Sequence, residues 1–253
     1  MNGEMHQICR IVAAAKNALL QNTEPVFTPA KYEDKIEFLF MPKRKLFAAK
    51  AEKVSGIAAW YDRCVRNDLY DVKLLTPVAA EERGVLGFSN TTGSMMVCFF
   101  KSGITYFKVN WSFNAKKAWE ILYTEHEWKN APADKPRFED ETEQFLAALI
   151  KIKALAEELG CSYFAETFDH AINILTGGEY NNAALMPLPD IPDTRLRIFN
   201  AASVADVFGA MGSWNDDPSY IAQKKGLGKK YNNLSDELLK QIRLAILYSI
   251  NEW

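Results

Sequence analysis

Glu166, Asp169 and His170 stand at i, i+3 and i+4 in a stretch of helical periodicity, so their side chains share one face, as a metal-binding helix requires. One such helix supplies too few ligands for a metal centre. The chain holds only His6, His126 and His170, so a His-rich site is excluded and a single mixed site is the most that can be built. The same spacing also suits a solvated polar face. Joined to the oxygens of Asn215, Asp216 and Asp217, the triplet is the basis of one functional reading, a metal-assisted hydrolase. Glu125 and Glu127 fall on one side of an extended segment with His126 on the other, which permits a carboxylate dyad or a charged strand edge that deters pairing. Cys9, Cys64, Cys98 and Cys161 include no C-x-x-C pair and read as buried thiols. No G-x-S-x-G elbow and no G-x-G-x-x-G turn occurs. Lys224–Lys230 reads as a basic loop, solvated or touching phosphate.

The most unusual local sequence runs from Val207 to Asp217 (VFGAMGSWNDD). Gly209 and Gly212 permit tight backbone approach or positive φ, and Ser213, Asn215 and Asp216 can bond neighbouring backbone groups. As structure this is a helix terminator. As function, Gly209, Gly212, Ser213, Trp214, Asn215 and Asp216 make a binding turn, although the P-loop Lys-Ser/Thr and the EF-hand ligand spacing are missing. A second candidate surface lies in the aromatic stretch holding Tyr106, Trp111, Trp119, Tyr123 and Trp128, where rings such as Trp111 and Tyr123 would bury much area on a partner at low entropic cost.

The elements that must position these residues follow from periodicity. Ile8, Ile11, Val12, Ala15 and Leu19 mark an amphipathic first helix, and Lys35–Met41 marks a strand. A helix is expected over about Leu46–Arg66, with Gly56 as its weak point. From Val85 to Trp128 aromatic and β-branched segments broken by turn residues predict a three-stranded antiparallel meander. Past Pro132, Asp134, Lys135 and Pro136 no further strand is expected. Asp140 with Glu143 suggests a capping box, Gly160 a stop, and Ser162–Leu175 the second arm of an αα-hairpin. After a proline-studded loop, Met186–Pro192, come a helix over Thr194–Ala210 with a break near Asn200, a short one from Asp217, and a last one from Ser235 in which Asp236 pairs with Lys240. The expected fold is α+β: N-terminal helices with a small antiparallel sheet over 1–133, then a helical bundle over 134–253.

At 253 residues, 48% hydrophobic and 25% charged, with a net charge of −2, the composition excludes disordered, collagenous and coiled-coil classes. The longest uncharged apolar run, around Ser94–Phe100, is far below the roughly 20 residues of a membrane span. Residues 1–130 carry 18 basic and 14 acidic side chains and the remainder 12 and 18, so neither half has the basic footprint of a nucleic-acid binder. No secretory leader is seen, and a cytoplasmic protein is expected.

The turn Gly209-x-Met211-Gly212-Ser213-Trp214-Asn215-Asp216, with the Phe164…Phe168…Ala171…Leu175 hairpin before it and Ser235-x-x-Leu238-Leu239 after it, resembles small helical domains of uncharacterised bacterial proteins. The resemblance covers roughly residues 140–250, with Ala210 standing where those domains have glycine. It implies an immunity or accessory role in bacterial conflict systems. The expectation is therefore a non-catalytic bacterial protein that binds another protein, with no cofactor, nucleic acid or membrane.

Overall fold

The computed structural model describes residues 1–42, 51–81, 83–115, 117–132, 134–178, 188, 191–209 and 211–253. Among these, period-two alternation in the first half of the chain yields β1 (Glu33–Phe40), β2 (Glu52–Ser55), β3 (Leu69–Leu75), β4 (Met95–Phe100), β5 (Gly103–Phe113) and β6 (Trp119–Glu127), in the order β2-β1-β6-β5-β4-β3. The expected meander is β4-β5-β6, with Tyr106 opposite Val97 on one side and His126 on the other. The sheet is larger than that meander, and it is mixed, because β1 runs parallel to β6 with Phe38 opposite Tyr123. β6 is consequently an interior strand, with its pairing to β1 running as far as Leu39 opposite Thr124 and stopping short of Glu125 and Glu127. The fold class is α+β, as expected.

Two strands escape the sequence pattern for physical reasons. β2 is four residues long and charged. In β3 Asp71 and Lys73 interrupt the apolar run, but each is individually satisfied: Lys135 donates to Asp71 at 2.7 Å, and the Lys73 ammonium donates to the Pro136 carbonyl at 2.7 Å. The helix expected over Leu46–Arg66 is shorter. Residues 46–50 lie outside the described residues, Glu52–Ser55 is extended, and α2 spans Ile57–Val65. Gly56 is the corner between them, at φ 83°, with its N–H donating to Ile36 O at 2.9 Å.

Two compact units partition the chain: Met1–His6, Thr76–Thr92 and Arg137–Trp253 form one, Gln7–Leu75 and Gly93–Pro136 the other. In the sheet-bearing unit, Phe38 stacks on Trp60 (5.1 Å) and Tyr123 (5.0 Å) and meets Phe107 edge-on (6.0 Å), arrangements worth about 0.5–1.5 kcal/mol per pair beyond area burial. Helix α1 (Gly3–Gln21), which belongs to this unit from Gln7 onward, is buried at every residue from 4 to 16, including Arg10 and Lys16, instead of showing one wet face. Two of its buried polar side chains find partners: Arg10 donates to the Thr28 carbonyl and lies over the Phe27 ring, and Gln7 accepts from the Tyr123 hydroxyl at 2.8 Å.

The other unit is helical: a 3-10 turn at Arg83–Gly87, then α3 (Thr142–Leu159), α4 (Ser162–Leu175), α5 (Asp193–Ala205), α6 (Asp217–Lys224) and α7 (Gly228–Asn251). Among the described residues no strand follows Glu127. Apolar residues at helical spacing, Phe145, Leu149, Ile152, Ala156 and Leu159, are buried on α3, and Gly160 at φ 81° ends it, so the αα-hairpin forms as expected. Asp140 accepts the N–H and the hydroxyl of Thr142 in place of a reciprocal box with Glu143. α5 runs unbroken through the buried Asn200 and stops at Ala205; Ala210 and most of the Met186–Pro192 loop lie outside the described residues. α7 begins at Gly228 instead of Ser235, which takes Lys229 and Lys230 out of the expected loop and into helix. Lys225 caps α3 by donating to the carbonyls of Glu158 (2.8 Å) and Leu159 (3.2 Å).

Candidate functional site

The glycine elbow joins α5 to α6, and almost every polar side chain in it is spent on holding its own shape. Gly212 sits at φ 73°, a conformation that costs an L-residue roughly 1–2 kcal/mol, and its N–H donates to the Asp216 carboxylate at 2.9 Å. The Ser213 hydroxyl donates to Gly209 O (2.8 Å) and accepts the Asn215 N–H (3.2 Å). The Asn215 amide donates to Arg83 O (3.1 Å) and more weakly to Gly209 O (3.4 Å). Turned inward, these groups make the elbow a braced bend, and its amides do not form an open anion nest.

Trp214 anchors the bend. Its side chain is fully buried, stacked on Tyr231 (5.4 Å, 26°) and edge-on to Phe164 (5.3 Å) and Phe168 (5.4 Å). Its indole N–H donates to the Ser235 hydroxyl at 2.8 Å, and its carbonyl accepts from the Tyr231 hydroxyl at 2.5 Å. Burial raises the Tyr231 phenol above its ordinary value, with the nearby Arg83 charge opposing the shift. Met211 points the other way: at 95% exposure it is the most exposed of the large apolar side chains described. Tyr163, beside Phe164 in sequence, and Tyr220, on α6, are exposed as well.

Beside the elbow lies a cleft of about 700 Å³ whose polar wall includes Arg83, Asn215, Ser219, Tyr231, Asn232 and Asp236. Arg83 is its organising residue. Its guanidinium pairs with the Asp236 carboxylate, donates to Asn232 Oδ1 at 3.0 Å and lies over the Tyr231 ring at 5.7 Å. Asp236, expected to pair with Lys240 along the helix, is held by Arg83 instead. Sequence reasoning singled out Asn215 here and missed Arg83, Tyr231 and Asn232. Arg83 is remote in the chain from α7, and no local spacing signals that contact.

The remaining candidates are not drawn into this site. Asp169 pairs with Lys153 at 2.5 Å, and Glu166 and His170 are exposed on α4. No group of three or more His, Cys, Asp or Glu side chains among the described residues is placed to hold a metal ion, so the triplet gains no further ligands there. Trp111 and Tyr123 are both buried, which removes these two rings from any exposed aromatic surface; the sheet consumes them as core. Glu125 accepts the Met41 N–H at 3.0 Å, and His126 stacks on Tyr106 at 5.2 Å. Burial raises the thiols of Cys161 and Cys98, the latter also through the adjoining Cys64, which leaves neither activated as a nucleophile. No helix among the described residues is long and apolar enough to cross a membrane. Searches of protein-family models, curated proteins and solved structures find no match to this chain.

Proposed function

We propose that this chain is a non-catalytic protein-binding module, of the bacterial immunity or accessory kind that its elbow sequence resembles, acting in the cytoplasm. The observation that carries the reading is Met211, 95% exposed at a bend whose polar groups are committed internally. A large apolar side chain in water at a loop that cannot fold it inward gives no stability to the chain itself. Held on a pre-ordered bend, it would bury its area on a partner with little further ordering cost, and the thioether adapts its shape to an apolar pocket. The exposed Tyr163 and Tyr220 add residue types favoured at interfaces.

A photo-crosslinking amino acid at position 211 in the full chain, expressed in its native host, tests this. The expected outcome is one discrete adduct absent when the same amino acid replaces Val26, a 77% exposed residue of the sheet-bearing unit. Met211→Asp should abolish that adduct's native counterpart in co-purification while shifting stability by no more than about 0.5 kcal/mol. Equal labelling from positions 211 and 26 would overturn the reading.

A further inference from the structure

We infer that the cleft beside the elbow binds an organic cation, a guanidinium or primary ammonium group, through the carboxylates of Glu81 and Asp236. The inference is independent of the docking role of Met211. Among the described residues the only cationic side chain lining the cleft is already committed: Arg83 is bonded to Asp236 and Asn232, its side chain is 13% exposed, and its Nε is shut off from solvent. An incoming anion therefore meets a guanidinium whose charge is already matched by a carboxylate. Acceptors are in surplus. Asp236, 60% exposed, uses one oxygen on Arg83 and keeps the other, and Glu81 forms no hydrogen bond or ion pair among the described residues. The Asn215 amide nitrogen is occupied by two carbonyls, which leaves its oxygen as the available group.

Among the described residues the charges on the wall, two carboxylates against one guanidinium, leave it one unit negative. Ala79, Ala80 and Leu239 add an apolar stretch that a bare metal ion cannot use and that suits the methylene stem of an arginine, a lysine or an aliphatic amine. The volume, about 700 Å³, falls in the range of small-molecule sites. The pairing of Asp236 with Arg83 also fixes the carboxylate before any ligand arrives, so little ordering is required on binding.

Nuclear magnetic resonance titration of the labelled full-length chain tests the site, with L-argininamide and a capped Ala-Arg-Ala peptide as probes. The neutral Nα-acetylcitrullinamide and inorganic phosphate serve as controls. Both cations should shift the backbone amides of Gly84, Ser219 and Asn232 saturably, and Glu81→Gln should weaken them by about fivefold, as loss of a partly exposed charge pair implies. Because Glu81 is exposed and has no internal partner among the described residues, that variant keeps the fold. Tighter binding of the peptide identifies a protein side chain as the source of the cation; tighter binding of argininamide identifies a free small molecule. Shifts by phosphate but not by the cations, equal binding of Nα-acetylcitrullinamide, or an unchanged affinity in Glu81→Gln would each overturn the inference.

Discussion

Trp214 concentrates the energetics of the helical unit in one residue, because its ring fills an aromatic box while its indole N–H and its carbonyl find buried partners on α7. Ser235→Ala strands the indole N–H and should cost about 1–3 kcal/mol in urea denaturation. In a Trp214→Phe background the same change should be nearly neutral, since the donor is gone, and a coupling energy near zero in that double-mutant cycle would contradict the bond. Tyr231 sets a pH limit. Its folded-state value is raised above the ordinary 10.0, so its contribution is complete below pH 10 and is lost as pH climbs through the higher folded value. Alkaline unfolding should accompany tyrosinate formation above pH 10, and Tyr231→Phe should flatten that part of the stability curve. A wild-type curve already flat there would show that the phenol carries no such linkage.

At the scale of elements, two glycines make opposite predictions. Gly160 ends α3 at φ 81°, where a Cβ finds open space but the backbone itself is strained, so Gly160→Ala should destabilise by about 1 kcal/mol. Gly228 opens α7 with ordinary φ and only van der Waals neighbours for a Cβ, the nearest Gln223 Cγ at 3.6 Å, so Gly228→Ala should stabilise by about 0.5–1 kcal/mol. Equilibrium denaturation of the two variants checks the sign. It also tests the early start of α7, since an alanine before the helix would bring no gain. Helices α3 and α4 were legible because an apolar stripe at 3.6-residue spacing followed by a left-handed glycine is a local code. The start of α7 was not: Ser235 looks like a cap in sequence, and only the indole of Trp214 reveals that its hydroxyl is needed inside.

Across the whole molecule, the helical unit is assembled from three separate stretches of chain. Residues 137–253 alone hold the described helices α3 to α7 but lack Arg83, and with it the bonds to Asn215, Asn232 and Asp236. They also lack Glu4 and Thr92, joined at 2.6 Å, and the N-terminal ammonium, which donates to Ser203 O at 2.9 Å. That fragment should unfold at a lower urea concentration than the same helices in the intact chain, followed by the near-ultraviolet signal of Trp214. An unchanged midpoint would mean that the first two stretches are dispensable to the bundle.

Features that depend on neighbours along the chain were legible in the residues alone: the α+β order, the β4-β5-β6 meander, the αα-hairpin and the turn at Gly209–Asp216. Period-two and 3.6-residue patterns are printed by which face of an element meets the core, and positive-φ turns by the residues that tolerate them. The tertiary structure alone decided the parallel pairing of β1 with β6, the burial of Trp111 and Tyr123, and the joining of Arg83 to Asp236 and Asn232. Each of these brings together groups distant in the chain or settles which face of a strand is covered. A single segment records the pattern of its faces but not the identity of what lies against them.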